Sequence, residues 1–307
     1  MKKINKHIEK LTLDFLSNSS VDAINLSIID FNNKSFESSL FESKLSENCS
    51  SKIFFDLASL SKPLINGIGF LAEEKNITDE MKLVLNHRGG IPSWGILSRD
   101  SWQYDILNYQ ICESPTLYSD YSALRFMLEF NNLKLGSSLH STASKYWDED
   151  IFFWKNLKSD HRTLQNGFIK GEPNFRAVHD PNAYNLNQDV SHAGLFGTAD
   201  SISKTLLGLD KEFELLKKMK EGLSESKHRF INGWDRVENP DTSLAGNGCS
   251  LRTFGHLGFT GTSVWIDCDK GVGYILLSNA TKLFWYNKAD FNIYRKQLGT
   301  FIWKDSF

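Results

Sequence analysis

Residues 54–64 read FFDLASLSKPL, and they place Ser59 and Lys62 three positions apart where an apolar run gives way to a helical pattern. Residues i and i+3 share one face of a helix, so a serine at its start would lie beside a lysine one turn later. Pro63 fits a first helical turn, because the amides of that turn have no intrahelical acceptor. Helical spacing then continues to about residue 75, through Leu60, Leu64, Ile68 and Leu71.

The Ser-x-x-Lys spacing has two interpretations. A helix N-terminus and a desolvated pocket both disfavour an ammonium group, so Lys62 could act as a neutral base that takes the proton of a nucleophilic Ser59. The same spacing also occurs by chance at ordinary, solvated helix starts. The four residues alone do not decide between them.

Composition excludes several classes of protein. The chain has 307 residues, 40% hydrophobic and 23% charged, with a formal net charge of −2, which is ordinary for a globular protein and gives no global surface for nucleic acid. No stretch resembles a signal peptide or approaches the ~18 apolar residues of a membrane span. We therefore expect a cytoplasmic protein without a membrane span. The oligomeric state is not predicted. The scattered cysteines read as free thiols in a reducing compartment, with no zinc spacing: Cys49, Cys112, Cys249 and Cys268.

The order of local patterns predicts an α+β fold. Apolar residues at helical spacing near the N-terminus precede a strand at 21–30, and a strand pair at 261–269 and 271–279 is joined by a Lys-Gly turn before a last helical pattern at 287–303. We expect one antiparallel sheet built from both termini and flanked by helices. The chain is read as a single unit, 1–307, with an α/β lobe at about 1–58 and 210–307 and an inserted, mostly helical lobe at about 59–209.

Two further stretches could carry chemistry. In TLYSDYSALRFMLEF (116–130), Tyr118 could be a second proton-transfer group, or a half-buried tyrosine beside an Asp120 that caps a helix. In FGHLGFTGTSVWID (254–267), the glycines weaken a strand interior and make sense where a substrate backbone approaches it closely. His256 would then point along that edge, although a lone histidine is more often structural.

The stretch 178–204, VHDPNAYNLNQDVSHAGLFGTADSISK, holds His179, Asp180 and His192. These could be metal ligands, but no third and fourth ligand stand at a convincing spacing, so a hydrogen-bonding role in bracing a loop is favoured. The segment HAGLFG is a small-residue loop of the kind that lines a cleft. Thr198 or Asp200 is expected to cap the helix that follows. No cofactor is predicted.

Taken in this order, the motifs resemble the serine beta-lactamase and penicillin-binding-protein superfamily, in particular its class C beta-lactamase-like (D-alanyl-D-alanine carboxypeptidase-like) branch. The resemblance rests on Ser59-Leu60-Ser61-Lys62, Tyr118-Ser119-Asp120 and His256-Leu257-Gly258, with LVLNHRGGIPSW (83–94) and the 178–200 stretch in support. It extends over about residues 54–279 and implies a beta-lactamase/transpeptidase-like fold. One departure matters most: Asp120 stands where this branch usually has Asn, and an anion there would favour a charged Lys62.

The resemblance implies an acyl-enzyme on Ser59, assisted by Lys62 and Tyr118. It also implies an oxyanion hole from the backbone amides of Ser59 and Phe259, with Asp120, His256 and Gly258 binding or supporting the substrate. The activity expected first is that of a D,D-peptidase or carboxypeptidase on D-alanyl or related cell-wall peptides. A carboxylesterase on small acyl esters is the alternative, efficient beta-lactamase activity is expected least, and a non-catalytic ligand-binding relative is the hypothesis of another class. The expected partner is a small-molecule or short-peptide acyl substrate.

Overall fold

Strands gather towards the two ends of the chain, and helices fill most of the region between them. The computed structural model describes residues 4–43, 52–283 and 288–304. Its helices are α1 Lys6–Ser17, α2 Ile68–Glu73, α3 Asp79–Leu85, α4 Trp102–Asn108, α5 Asp120–Asn132, α6 Leu139–Ala143, α7 Pro181–Leu186, α8 Ala199–Phe213, α9 Leu215–Glu225 and α10 Lys288–Lys304. Its strands are β1 Ala23–Asp30, β2 Ser35–Glu42, β3 Ile53–Asp56, β4 Phe152–Phe153, β5 Arg162–Thr163, β6 Phe168–Ile169, β7 Glu172–Pro173, β8 Leu195–Gly197, β9 Phe230–Ile231, β10 Trp234–Arg236, β11 Thr253–Gly258, β12 Thr262–Asp267 and β13 Val272–Ser278.

The main sheet joins the two ends of the chain. Within the described residues it has seven strands in the order β2-β1-β13-β12-β11-β10-β9, all paired antiparallel. Strand β1 lies against β13, with Ile24 opposite Ser278. The predicted α+β fold, with one antiparallel sheet built from both ends and flanked by helices, is confirmed.

The hairpin between β12 and β13 has the predicted turn. Asp267 pairs with Val272, and Gly271 in the turn has φ +63°, a conformation that glycine adopts without the steric cost of a side chain. A smaller sheet has the order β4-β8-β3-β5, and β3 in it leads directly into the helical region. Because β3 ends at Asp56, this smaller sheet places Ser59 where the helical region begins.

Alternating side chains along the main sheet form two apolar cores, one on each face. On one face α1 and α10 cover the sheet, and Thr12 Oγ1 lies 3.1 Å from Tyr294 Oη between them. On the other face lies α8, whose Ser203 hydroxyl is 2.8 Å from that of Ser27 on β1. The predicted boundary near residue 209 had put most of α8 in the helical lobe. Its contacts with β1 place it against the sheet instead, because its buried stripe faces the strands.

One predicted helix begins as other kinds of helical turn, and one predicted free cysteine lies outside the described ranges. The helical pattern at 57–75 becomes a 3-10 turn at Ala58–Leu60, a π-helical turn at Pro63–Gly67 and then α2. Cys49 lies outside the described residues, and the other three cysteines are free thiols. Within the described ranges, no helix combines the length and apolar character needed to cross a bilayer.

Two helical glycines give a matched test of this packing. A Cβ on Gly299 of α10 would lie 1.9 Å from the carbonyl oxygen of Ala245, whereas a Cβ on Gly208 of α8 would meet nothing within 4 Å. We expect Gly299→Ala to lower the free energy of unfolding by ~1–3 kcal/mol, because the backbone must move apart. Gly208→Ala should raise it by ~0.5–1 kcal/mol, since alanine favours a helix. Urea denaturation of both variants measures the change in the free energy of unfolding. A change of the same sign in both would contradict the packing described here.

Candidate active site

Ser59 follows a strained residue at the end of β3. Ala58 has φ +47°, in the left-handed region that residues with a Cβ seldom adopt. The carboxylate of Asp56 accepts a hydrogen bond from Ala58 N at 2.8 Å and from His179 N and Asn166 Nδ2 at 2.6 and 2.9 Å. These bonds fix the turn that presents Ser59, so Asp56 positions the candidate nucleophile. The sequence signal for it was a single acid inside the apolar run FFDL.

Lys62 is buried one helical turn after Ser59, with 3% of its surface exposed. Its Nζ donates to Ser59 Oγ at 3.0 Å and to the carbonyl oxygen of His192 at 2.9 Å, and it lies 2.7 Å from Asp120 Oδ1. Burial lowers the pKa of Lys62, but the Asp120 carboxylate and Tyr118 raise it more, so its net pKa is above the ordinary value. Lys62 is therefore an ammonium in the resting site, as the departure to Asp120 had suggested, and its role as a base stays a prediction.

Tyr118 brings its hydroxyl to the same point. Its ring centroid lies 5.1 Å from Lys62 Nζ, and Lys62 and Ser59 both lower the pKa of its hydroxyl, although 36% of the residue's surface remains exposed. Burial of the hydroxyl raises the pKa of Tyr118 above its ordinary value, against the opposing effect of Lys62. Tyr118 is therefore a phenol at neutral pH.

The loop that contains HRGG, residues 87–90, holds Tyr118 and Ser119 in place. His87 accepts a hydrogen bond from Ser119 N at 3.2 Å and packs against the Tyr118 ring, with 4.8 Å between ring centroids. Burial lowers the pKa of His87 well below its ordinary value, so the ring is a neutral acceptor. Ser119, not Asp120, caps α5, because its hydroxyl accepts from Ser122 N. Asp120 is left to face Lys62. The positioning role of His87 was missed, and its motif HRGG was the available signal.

His256 lies on β11, across the site from the helix start, with its ring centroid 5.8 Å from that of Tyr118. Its Nδ1 donates to the carbonyl oxygen of Leu257 at 2.8 Å, which leaves Nε2 as the unprotonated acceptor. Burial, followed by the field of Lys62, lowers the pKa of His256 to about 3. The ring is therefore neutral over the physiological range.

The end of β11 closes the site. A Cβ on Gly258 would lie 1.9 Å from Thr262 Oγ1 and 2.8 Å from the carbonyl oxygen of Leu57, so only glycine fits here without displacement. Phe259 comes next and is therefore placed beside the segment that carries Ser59. The structure thus brings the predicted residues to one place: Ser59, Lys62, Tyr118, Asp120, His256, Gly258 and Phe259.

The stretch 178–204 braces the other side of Lys62. His192 Nε2 lies 2.9 Å from Asp180 Oδ1, and Asp180 caps α7. Burial opposes ionisation, but His192 and the Ala183 amide hold the pKa of Asp180 at about 2. No cluster of His, Cys, Asp and Glu in the described ranges could hold a metal ion, so this stretch is described by hydrogen bonds alone. Thr198 caps α8, as one of the two predicted alternatives.

Asp56 offers a test of the turn before Ser59. In Asp56→Asn, at least one of the three backbone and side-chain donors faces the new NH2 group, so at pH 7, where the wild-type group is a carboxylate, we expect a loss of ~1–3 kcal/mol in the free energy of unfolding. Burial raises the pKa of Asp56 from 3.8 to about 6 in the folded chain. Between about pH 4 and 6 the folded chain therefore holds a proton that the unfolded chain has lost. The stability that this proton gives the folded chain is complete below about pH 4 and is lost as the pH rises through about 6.

Urea denaturation of wild type and Asp56→Asn at pH 4, 5, 6 and 7 isolates this group, because all other titrations cancel in the difference. The wild type's advantage over Asp56→Asn should shrink by up to ~3 kcal/mol between pH 4 and 7. A difference that does not change with pH would contradict the buried carboxyl described here.

The comparisons with known proteins agree with this architecture. The sequence model of the Beta-lactamase family matches residues 152–297. A beta-lactamase from Mycobacterium bovis has a TM-score of 0.61 at 13% identity, covering 94% of this chain and 96% of its own. A simvastatin synthase mutant from Aspergillus terreus has a TM-score of 0.65 at 12% identity, covering 97% and 96%.

EstCE1, described as a hydrolase with promiscuous acyltransferase activity, also has a TM-score of 0.65, at 11% identity, covering 96% of this chain and 97% of its own. Identities this low show the fold alone, and among curated proteins none matches this chain by sequence. The family match adds sequence evidence over the C-terminal half. Residues 152–297 thus match the Beta-lactamase family, and the chain has the beta-lactamase/transpeptidase-like fold of these neighbours.

Proposed function

We propose that this serine hydrolase forms an acyl-enzyme on Ser59 and acts best on small, uncharged acyl esters. The observation that carries the first part is the hydrogen bond between Ser59 and Lys62, with the Tyr118 ring beside Lys62. A serine that lies 3.0 Å from a buried lysine and within reach of a phenol has the partners that nucleophilic attack and leaving-group protonation require. The non-catalytic alternative gives no reason for this arrangement.

In the proposed reaction, Ser59 Oγ attacks the substrate carbonyl carbon and the oxygen takes up the negative charge. The backbone amides of Ser59 and Phe259 would donate to that oxygen, the usual source of the largest stabilisation in acyl transfer. Collapse of the intermediate leaves the acyl group on Ser59 while Tyr118 protonates the departing oxygen or nitrogen. Water then repeats the sequence to release the acid.

The charges around His256 favour an ester over a peptide that ends in a carboxylate. The cations whose field acts on His256 are Lys62 and Arg229. Lys62 is bound to Asp120, and Arg229 makes two 2.9 Å hydrogen bonds to the carboxylate of Asp235. His256 itself is neutral, with Nε2 as an acceptor. Among the described residues, both cations that act on His256 already have a carboxylate partner, so the D,D-peptidase activity favoured by sequence resemblance has less support here than the carboxylesterase alternative.

Apolar side chains around the site support the same choice. Leu117, next to Tyr118, is 52% exposed, and Phe259, next to Gly258, is 51% exposed. Trp94 is 49% exposed and follows Ser93, whose carbonyl oxygen accepts from Asp120 N at 2.8 Å. Exposed large apolar groups beside a site indicate contact with an apolar ligand. They suit the alkyl or aryl groups of an ester.

Replacement of the nucleophile tests the reaction class. We expect Ser59→Ala to lower kcat/KM for p-nitrophenyl acetate and butyrate at least ~10³-fold, because no other group can form the acyl-enzyme. Ser224→Ala is the matched control, since Ser224 lies exposed on α9 and bonds only within its helix. Intact-protein mass after incubation with a penicillin would add a second probe of Ser59. Esterase activity that survives in Ser59→Ala would refute the proposed nucleophile.

A pair of substrates tests the choice of acyl donor. Acyl-D-alanyl-D-lactate and its methylamide share the same scissile ester and differ in the terminal charge. We expect kcat/KM to be at least tenfold higher for the uncharged methylamide, because the site offers a carboxylate no unpaired cation. A preference for the free carboxylate would instead support the D,D-peptidase alternative.

A further inference from the structure

The resting site contains no obvious base for the Ser59 proton. Lys62 has three N–H groups, and it has three close acceptors in Ser59 Oγ, Asp120 Oδ1 and the His192 carbonyl oxygen. An ammonium that uses all three donors has no lone pair to offer Ser59. Tyr118 is a phenol, and its raised pKa opposes phenolate formation. The proton must therefore reach another group.

Asp120 is the anion in direct contact with this set. Its Oδ1 lies 2.7 Å from Lys62 Nζ, and it starts α5 with its backbone amide bound to the carbonyl oxygen of Ser93 at 2.8 Å. Its side chain is 17% exposed and Lys62 is 3% exposed, so bulk water competes little for this contact. A carboxylate in direct, charge-assisted contact with the ammonium can take its proton without an intervening water.

We propose that Asp120 is the terminal proton acceptor when Ser59 is acylated, and that Lys62 carries the proton between them. This inference rests on the proposed function of Ser59 as nucleophile. It assigns to Asp120 a catalytic role in place of the substrate-supporting role expected from the sequence.

The protons balance as follows. Lys62 gives one proton to Asp120 and, as a transient amine, takes the proton of Ser59 while Oγ bonds to the carbonyl carbon. Asp120 is then a neutral acid, Lys62 is again an ammonium, and the negative charge rests on the substrate oxygen. When the intermediate collapses, Lys62 delivers a proton through Tyr118 to the leaving group and recovers one from Asp120. The resting charges are restored with the acyl group on Ser59.

Other titratable groups interact with Lys62 or Asp120 or lie next to those that do: Tyr118, Tyr121, His87, His256 with Arg229, Asp180 with His192, and Asp56 beyond Asp180. Burial lowers the pKa of His87 and His256, so both are neutral and weak bases near pH 7. Asp180 has a pKa of about 2 and is bound to His192. Asp56 does titrate near pH 6, but it contacts the turn at Ala58 and would do so equally in wild type and in an Asp120 variant.

The test measures the pH dependence of Ser59 reactivity with a neutral fluorophosphonate, followed by intact-protein mass. Labelling of wild type but not of Ser59→Ala establishes Ser59 as the nucleophile, and failure of wild type to label would count against the proposed function itself. Asp120→Asn removes the acceptor and the charge that holds the Lys62 proton. Lys62 must then lose its proton to water before it can serve Ser59.

We expect Asp120→Asn to lower the labelling rate at pH 6 at least tenfold and to move the acid-side midpoint upward by at least one pH unit, with recovery towards the wild-type rate at pH 9–10. Asp120→Glu keeps a carboxylate and should keep the midpoint within half a unit of wild type. An unchanged midpoint in Asp120→Asn, or a loss that is equal at every pH, would overturn the relay. So would equal profiles for the Asn and Glu variants.

Discussion

The turn between β11 and β12 lies against the chain just before Ser59, and this contact joins the sheet to the helical region. Thr260 and Thr262 donate from their hydroxyls to the carbonyl oxygens of Asp56 and Leu57, at 2.8 and 3.2 Å. The approach is possible because Gly258 has no side chain to separate the two segments. Buried carbonyl groups require hydrogen-bond partners, so this contact satisfies the backbone and fixes the position of Ser59 in one step.

Lys62 is the electrostatic centre of the same region. Burial of an unpaired ammonium costs several kcal/mol, and its three close acceptors offset that cost. Asparagine, which the sequence resemblance leads one to expect at position 120, would give a dipole there, whereas Asp120 gives a full opposite charge. The resting state is consequently an ion pair, and the chemistry of Ser59 must begin by redistributing a proton that Asp120 already attracts.

Local patterns were enough to predict much of this molecule. The Lys-Gly hairpin, the terminal strands and the last helix each depend on neighbours in sequence, as do the separate motifs around Ser59, Tyr118 and His256. The layer to which α8 belongs was not predictable, since an amphipathic stripe shows that a helix is buried but not against what. The charge of Lys62 needed the 2.7 Å distance to Asp120, which joins positions far apart in sequence. The structural tasks of Asp56 and His87 depend in the same way on long-range backbone donors.

The pairing of β1 with β13 has a consequence for how the chain folds. One edge of β1 pairs with β2 and the other with β13, so the second edge is covered only after the last strand of the sheet has been made. During synthesis the N-terminal hairpin would leave the ribosome with that edge open, a surface on which other strands can add. The helical region can pack earlier, but Ser59 acquires its neighbours on β11 only when the late strands arrive. Assembly of the site is therefore among the last events of folding.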